Sequence, residues 1–227
     1  MTLRRRISTA TSLVAEKTYF AIHERAMALL APGKQTRNAA KYWASLSDCE
    51  AYYTDELGWQ RSVWVASQVL AKNIGSLLEV GSNSGRNLTA IRQASEAVKL
   101  KGIDVNKTAI EFAREKNPSI DFELVDAARW AERPKSWDAI LTMSLIDHIP
   151  DEAIHTIVTN MISTARKYII CVELWDGSEG VRGLYKYSRD LRKLFEARDV
   201  KTLVWEKAVG QYDERSSLLW AYIGQVD

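Results

Sequence analysis

The spacing of apolar residues along the chain changes near residue 74. Before it, residues 13–30 mix Ala, Leu, Met, Glu and Lys, a helix-favouring composition that Pro32-Gly33 should stop. Residues 34–41 are polar and read as a linker. Residues 42–73 set Tyr42, Trp43, Tyr52, Tyr53, Trp59 and Trp64 among helix-compatible neighbours, which predicts one or two helices laid over the mouth of the next domain. After Asn73, short apolar runs alternate with amphipathic ones, the pattern of a mostly parallel sheet covered on both faces. Strands are expected at 76–81, 99–104, 120–125, 137–142 and 167–173, with helices at 86–97, 107–117, 151–165 and 187–198. Two β-rich runs, 200–209 and 217–223, flank the turn-like Gln211-Tyr212-Asp213-Glu214. With no room for a crossover helix, these two strands should pair antiparallel. The reading is an α/β chain with a helical extension over 1–73 and a sheet domain over 74–227.

The segment Leu77 to Leu88, L-L-E-V-G-S-N-S-G-R-N-L, is an apolar strand that runs through an acid and a glycine-containing turn into a helix. Gly81 and Gly85 suit a sharp bend and a ligand lying against backbone. Asn83 between them is the non-glycine residue that best tolerates a left-handed conformation. A helix starting at Gly85 aims its free N–H groups at the crevice beyond the strand ends.

These residues resemble the first motif of the class I S-adenosylmethionine-dependent methyltransferases, acidic-x-Gly-x-Gly-x-Gly, with Glu79, Gly81 and Gly85 in place and Asn83 in the middle glycine's slot. The wording is also similar to bacterial methyltransferases found with pseudaminic acid and other surface-sugar genes. The resemblance covers 74–227 and implies a Rossmann-like, seven-stranded, mostly parallel sheet with a C-terminal antiparallel hairpin. It implies S-adenosylmethionine as cofactor, with Gly81, Asn83 and Gly85 beside its methionine and ribose and Glu79 organising the carboxypropyl end. Asp104 closes the second strand 19 residues after Gly85 and is placed to accept from both ribose hydroxyls. Asp126 ends the third strand, where the family takes the adenine amine on an acid and contacts the ring through the next N–H, here Ala127. Trp130 either covers the adenine or packs in the core.

The segment Trp137 to Pro150, W-D-A-I-L-T-M-S-L-I-D-H-I-P, looks like the family's fourth motif, and the resemblance runs Thr142 to Ser144 beneath the sulfonium. Methyl transfer is an in-line displacement in which proximity supplies most of the acceleration, so no metal is expected. For a hydroxyl acceptor, His148 is the candidate base and Asp147 its orienting partner or substitute, because imidazole titrates near neutrality. His155 reads as solvent-facing or packed, and His23 as part of the extension. Residues 173–192, with Trp175, Tyr185, Tyr187, Arg182, Lys186 and Arg189, form either an acceptor pocket suited to a sugar or phosphorylated group, or an ordinary amphipathic helix with its loop.

Composition narrows the classes. With 227 residues, 46% of them hydrophobic, the chain can fill one α/β domain and an extension but not two full domains. Net charge is only +2, yet residues 1–41 hold eight Lys or Arg against two acids. Arg4, Arg5 and Arg6 suit an anionic membrane surface, a phosphorylated substrate, nucleic acid or a solvated terminus. Nucleic-acid methylation is not expected, since the body is not basic and an Asn/Asp-Pro-Pro-aromatic motif is missing. Cys49 and Cys171 make neither a disulfide framework nor a paired ligand motif, which fits a reducing cytoplasm. No apolar run reaches the roughly 20 residues of a membrane span; the Arg- and Ser/Thr-rich start leaves an organelle transit peptide as an alternative. The expected activity is therefore O-methylation of a small molecule, a sugar or glycan precursor. The alternatives are an N-methyltransferase, a nicotinamide-dependent oxidoreductase reading the glycine turn and the acid 19 residues later, and a non-catalytic cofactor-binding regulator.

Overall fold

The computed structural model describes residues 39–183, 185–209 and 218–227. The expected helix over 13–30, the arginines at 4–6, His23 and the turn at 211–214 lie outside the described residues. Three helices come first: α1 (Ala39–Ala44), α2 (Cys49–Thr54) and α3 (Glu56–Ala71). Asp55 divides the last two, ending α2 and capping α3 by accepting from the Gly58 N–H at 2.8 Å.

From residue 76 the chain alternates β1 (Ser76–Val80), α4 (Arg86–Ala94), β2 (Lys99–Asp104), α5 (Lys107–Lys116), β3 (Asp121–Leu124) and β4 (Trp137–Met143). A 3-10 turn (Ile146–His148), α6 (Asp151–Thr164) and β5 (Ala165–Leu174) come next. A short β6 (Gly180–Gly183) and β7 (Lys186–Ser188) pair with each other, and α7 (Leu191–Glu196), β8 (Lys201–Lys207) and β9 (Leu219–Gln225) complete the domain. The helix expected over 187–198 is shorter than its composition suggests. Tyr187 and Ser188 belong to β7, and the Asp190 carboxylate caps the helix by accepting the Arg192 N–H.

The main sheet has seven strands in the order β3-β2-β1-β4-β5-β9-β8. The first five are parallel; β9 runs antiparallel to β5 and to β8, so the C-terminal pair is antiparallel as its spacing required. Every residue of β1 is buried, as a central parallel strand demands. One face carries Leu77, Ala139 and Leu141 against Leu88 and Ile91 of α4 and Val65, Ala66 and Val69 of α3. The other carries Leu78, Val80 and Ile140 against Ile154, Ile157 and Met161 of α6 and Phe195 of α7. Thus α3 helps to build the core layer beside α4, and only the segment of α1 and α2 reaches over the strand ends.

Gly85 has φ +78°, and a Cβ there would lie 2.7 Å from Phe122 Cζ. We therefore expect Gly85→Ala to combine left-handed strain with overpacking and to cost about 2–4 kcal/mol in denaturant unfolding.

Candidate active site

The β1–α4 turn is fastened to the end of β2. The N–H groups of Gly81 and Ser82 both donate to the Ile103 carbonyl, at 2.8 and 3.0 Å. Asn83 sits at φ +45°, the conformation its residue type suggested, and donates its N–H to Asp104 Oδ2 at 2.8 Å. Asp104 Oδ1 accepts the Asn106 N–H at the same distance, so one carboxylate joins two loops. Burial raises the Asp104 carboxyl above its ordinary range.

Behind this turn Glu79 is 1% exposed. Its Oε1 accepts from Asn87 Nδ2, and Asn87 Oδ1 accepts from the Ser62 hydroxyl, a chain from β1 through α4 to α3. Glu79 Oε2 and Ser82 Oγ have no hydrogen-bond partner among the described residues. Burial pushes the Glu79 carboxyl up to about 8, against the pull of Asn87 and Arg86. Asp55 Oδ2 lies 3.5 Å from both Arg61 Nη2 and Arg86 Nη1. Gly58 makes room for this group, since a Cβ there would lie 2.0 Å from Arg86 Nη1. Burial lowers both guanidinium pKa values, and for Arg86 the neighbouring Arg61 adds to the effect.

These residues surround a cavity of about 680 Å³ at the carboxyl ends of the strands, within the usual range for a small-molecule site. Its walls include Glu79, Gly81, Asn83, Asp104, Asp126, Ala127 and His148. Asp126 follows β3 and accepts the Ala128 N–H at 2.9 Å. Gly85, Thr142 and Asp147 are not in the wall. Gly85 caps α4 with its α-carbon turned to Phe122, Thr142 is fully buried within β4, and Asp147 is a buried residue of the 3-10 turn. Met143 and Ser144 line the cavity in place of Thr142.

His148 is held from two sides. Its Nδ1 lies 2.7 Å from the Tyr185 carbonyl, so Nδ1 carries the hydrogen and Nε2 is the lone-pair nitrogen in the neutral ring. The Trp43 ring rests 4.2 Å from it, centroid to centroid. Asn106 ties that cover down by donating Nδ2 to the carbonyls of Trp43 and Leu46, while its Oδ1 accepts the Ala109 N–H and caps α5.

The 173–192 stretch departs from the acceptor-pocket reading, because none of its described residues lines the cavity. Arg189 instead donates to the Ile146 and Ile149 carbonyls at 2.6 and 2.7 Å, supporting the loop that carries His148. Arg182 pairs with Asp176, and Trp175 packs toward Trp205. Trp130 is 3% exposed and belongs to the core, so packing is its role. His155 is exposed and lies against Arg198.

Residues 77–167 match a protein family described as "Methyltransferase domain". This segment is similar to that family. The matched residues include the strand, turn and acids that line the cavity. Over 82 residues the chain is 33% identical to a ubiquinone biosynthesis O-methyltransferase of Thiobacillus denitrificans. That match covers 34% of each protein, so the chain spans about a third of the length of this curated relative. Magnesium protoporphyrin IX methyltransferase from Synechocystis, solved with bound S-adenosylmethionine, superposes with a TM-score of 0.67 at 12% identity over 86% of this chain and 98% of its own. The N-methyltransferase NodS of Bradyrhizobium japonicum, solved with S-adenosylhomocysteine, gives 0.67 at 12% identity over 85% and 99%. The chain therefore shares its fold with two proteins solved with S-adenosylmethionine or S-adenosylhomocysteine bound.

Several residues in and behind the wall carry no motif of their own. Asn87, Ser62, Asp55, Arg61 and Arg86 sit on or beside helices where polar residues read as solvent-facing. Only the polar positions at 61 and 62, next to aromatics on the expected lid, hinted at them.

The position of Glu79 has a measurable consequence. Below pH 4.5 the carboxyl is protonated folded and unfolded alike. Between 4.5 and about 8 the unfolded chain ionises it while the folded protein keeps it neutral, so stability falls as pH rises through that window. Glu79→Gln removes this slope, and denaturant titrations from pH 5 to 8 on the cofactor-free protein should show the variant gaining on the wild type by a few kcal/mol.

Proposed function

We propose that the chain transfers a methyl group from S-adenosylmethionine to a small molecule, on a hydroxyl oxygen of a sugar or glycan precursor. The observation that carries this reading is the sequence of acids along one cavity wall: Glu79 at the end of β1, Asp104 at the end of β2 and Asp126 after β3. Asp104 suits a ribose diol and Asp126 with Ala127 suits an adenine edge. The unpartnered Glu79 Oε2 suits a cationic methionine end. Arg61 and Arg86 both line the cavity beside Asp55, and a guanidinium suits a carboxylate. Bound there, the cofactor supplies an activated methyl group, and the protein's part is to align an acceptor with it and to take up a proton.

His148 Nε2 is the base for a hydroxyl acceptor, its tautomer set by the Tyr185 carbonyl. Trp43 and Tyr52 give flat walls against which a ring can lie, and Lys41 adds a cation for a phosphorylated or acidic acceptor. The α1–α2 segment then serves as cover, and 74–227 with α3 packed into its core as the catalytic domain. The basic N-terminal residues offer a contact for an anionic membrane or substrate. Cys49 and Cys171 are buried free thiols, which suits a reducing, cytoplasmic setting. Among the described residues no helix is long and apolar enough to cross a membrane. Nitrogen methylation is the second reading, favoured by the likeness to NodS; it needs less base catalysis, so a dispensable His148 would select it.

Calorimetric titration of S-adenosylhomocysteine is the test. Asp104→Ala should weaken binding roughly 10- to 150-fold, the loss of charge-assisted hydrogen bonds. Unchanged affinity, or no binding to folded wild type, would remove the methyltransferase reading. Titrations with S-adenosylmethionine in buffers of different ionisation enthalpy should also show proton release near pH 7, because a cation beside Glu79 favours its charged form. Glu79→Gln should abolish that release.

A further inference from the structure

A second pair of acids lies behind the cavity wall. Glu173, at the carboxyl end of β5, is 1% exposed, and Asp147 in the 3-10 turn is 4% exposed. Glu173 accepts the Leu145 N–H on Oε1 and the Asp147 N–H on Oε2, both at 3.3 Å, so one buried carboxylate spans the turn that ends in His148. Asp147 Oδ1 is buried with no hydrogen-bond partner among the described residues, and it lies 3.7 Å from His148 Nε2. That is beyond a hydrogen bond but within ion-pair range.

The Asp147 side chain meets the Glu173 carboxyl on one side and the imidazole on the other, while Thr142 and the Cys171 thiol face Glu173. Arg189 is committed to the Ile146 and Ile149 carbonyls and to the Asp151 carboxylate. Burial, with Asp147 as the next cause, pushes the Glu173 carboxyl well up.

We propose that Glu173 is a positioning residue that fixes the His148 ring, and that Asp147 Oδ1 is the counter-charge for that ring once Nε2 holds a proton; this rests on His148 as the base. Glu173 fixes the turn, the turn presents Nδ1–H to Tyr185, and the lone pair of Nε2 is left beside an anion.

The test needs no acceptor. The chain has three histidines, so long-range proton–nitrogen spectra of labelled protein resolve every imidazole, with His148→Gln assigning its own signals. Wild type should show a single Nδ1–H tautomer for neutral His148. Glu173→Gln places an amide N–H against one of the two turn N–H groups and should mix the tautomers, with S-adenosylhomocysteine affinity within about twofold of wild type. Asp147→Ala keeps both bonds to Glu173 and should lower the ratio of imidazolium to neutral His148 about 3- to 10-fold at a fixed pH near 6.5. An Nε2–H tautomer in wild type, an unmixed tautomer in Glu173→Gln or an unchanged ratio in Asp147→Ala would each overturn the proposal. If Glu173→Gln does not fold, the wild-type tautomer and the Asp147→Ala ratio decide it. The base role is judged separately by methyl transfer in His148→Gln, so the two ideas fail independently.

Discussion

The Asp104 carboxylate takes one backbone N–H from the β1–α4 turn and another from the β2–α5 turn. The first turn cannot settle without it. Residues 81–85 include three positive φ angles, so their N–H groups point away from any regular ladder and need acceptors at the sheet edge. The Ile103 carbonyl takes two of them and Asp104 takes the third. Once the turn is closed on β2, α4 begins where Asn87 can reach Glu79 and Arg86 can cross Gly58. The second turn, through Asn106, then anchors the cover over the cavity. The cavity wall and the cover thus hang from one side chain and its two loops.

A common chemical logic runs along this edge. Glu79, Asp104 and Glu173 stand at the carboxyl ends of β1, β2 and β5, and burial raises all three. Parallel strands bring their ends into one crevice, where side chains lose water but gain backbone N–H groups from the gathered loops. An acid there is desolvated and becomes a strong acceptor when a cation or a hydroxyl arrives.

The segments at the two margins of the cavity have exchanged the roles that their composition suggests. The aromatic and basic run after β5 looks like a binding surface, yet Arg189 and the Tyr185 carbonyl spend their hydrogen bonds on the His148 loop. The helices before β1 look like a lid, yet α3 fills the core with Val65 and Val69 while its polar face supplies Arg61 to the wall and Ser62 to Asn87 behind it. Composition reports what a segment can touch. Which side of a loop faces the ligand depends on neighbours that are far away in sequence.

Residue type and spacing account for the local and periodic part of this molecule. Apolar runs of strand length and the unusual φ of Gly81, Asn83 and Gly85 are legible along the chain, because backbone sterics and burial act over a few residues. The acids at the strand ends were legible for the same reason: parallel connectivity sends every strand's carboxyl end to one edge. Packing between distant elements settled the rest. Phe122, not a ligand, excludes a side chain at Gly85; Glu79 depends on Asn87 and Ser62; Trp43 rests on His148 more than a hundred residues away; and Glu173 holds the turn that Asp147 shares. These are contacts between elements whose relative placement is set by packing of the whole sheet, and no pattern within one element encodes them.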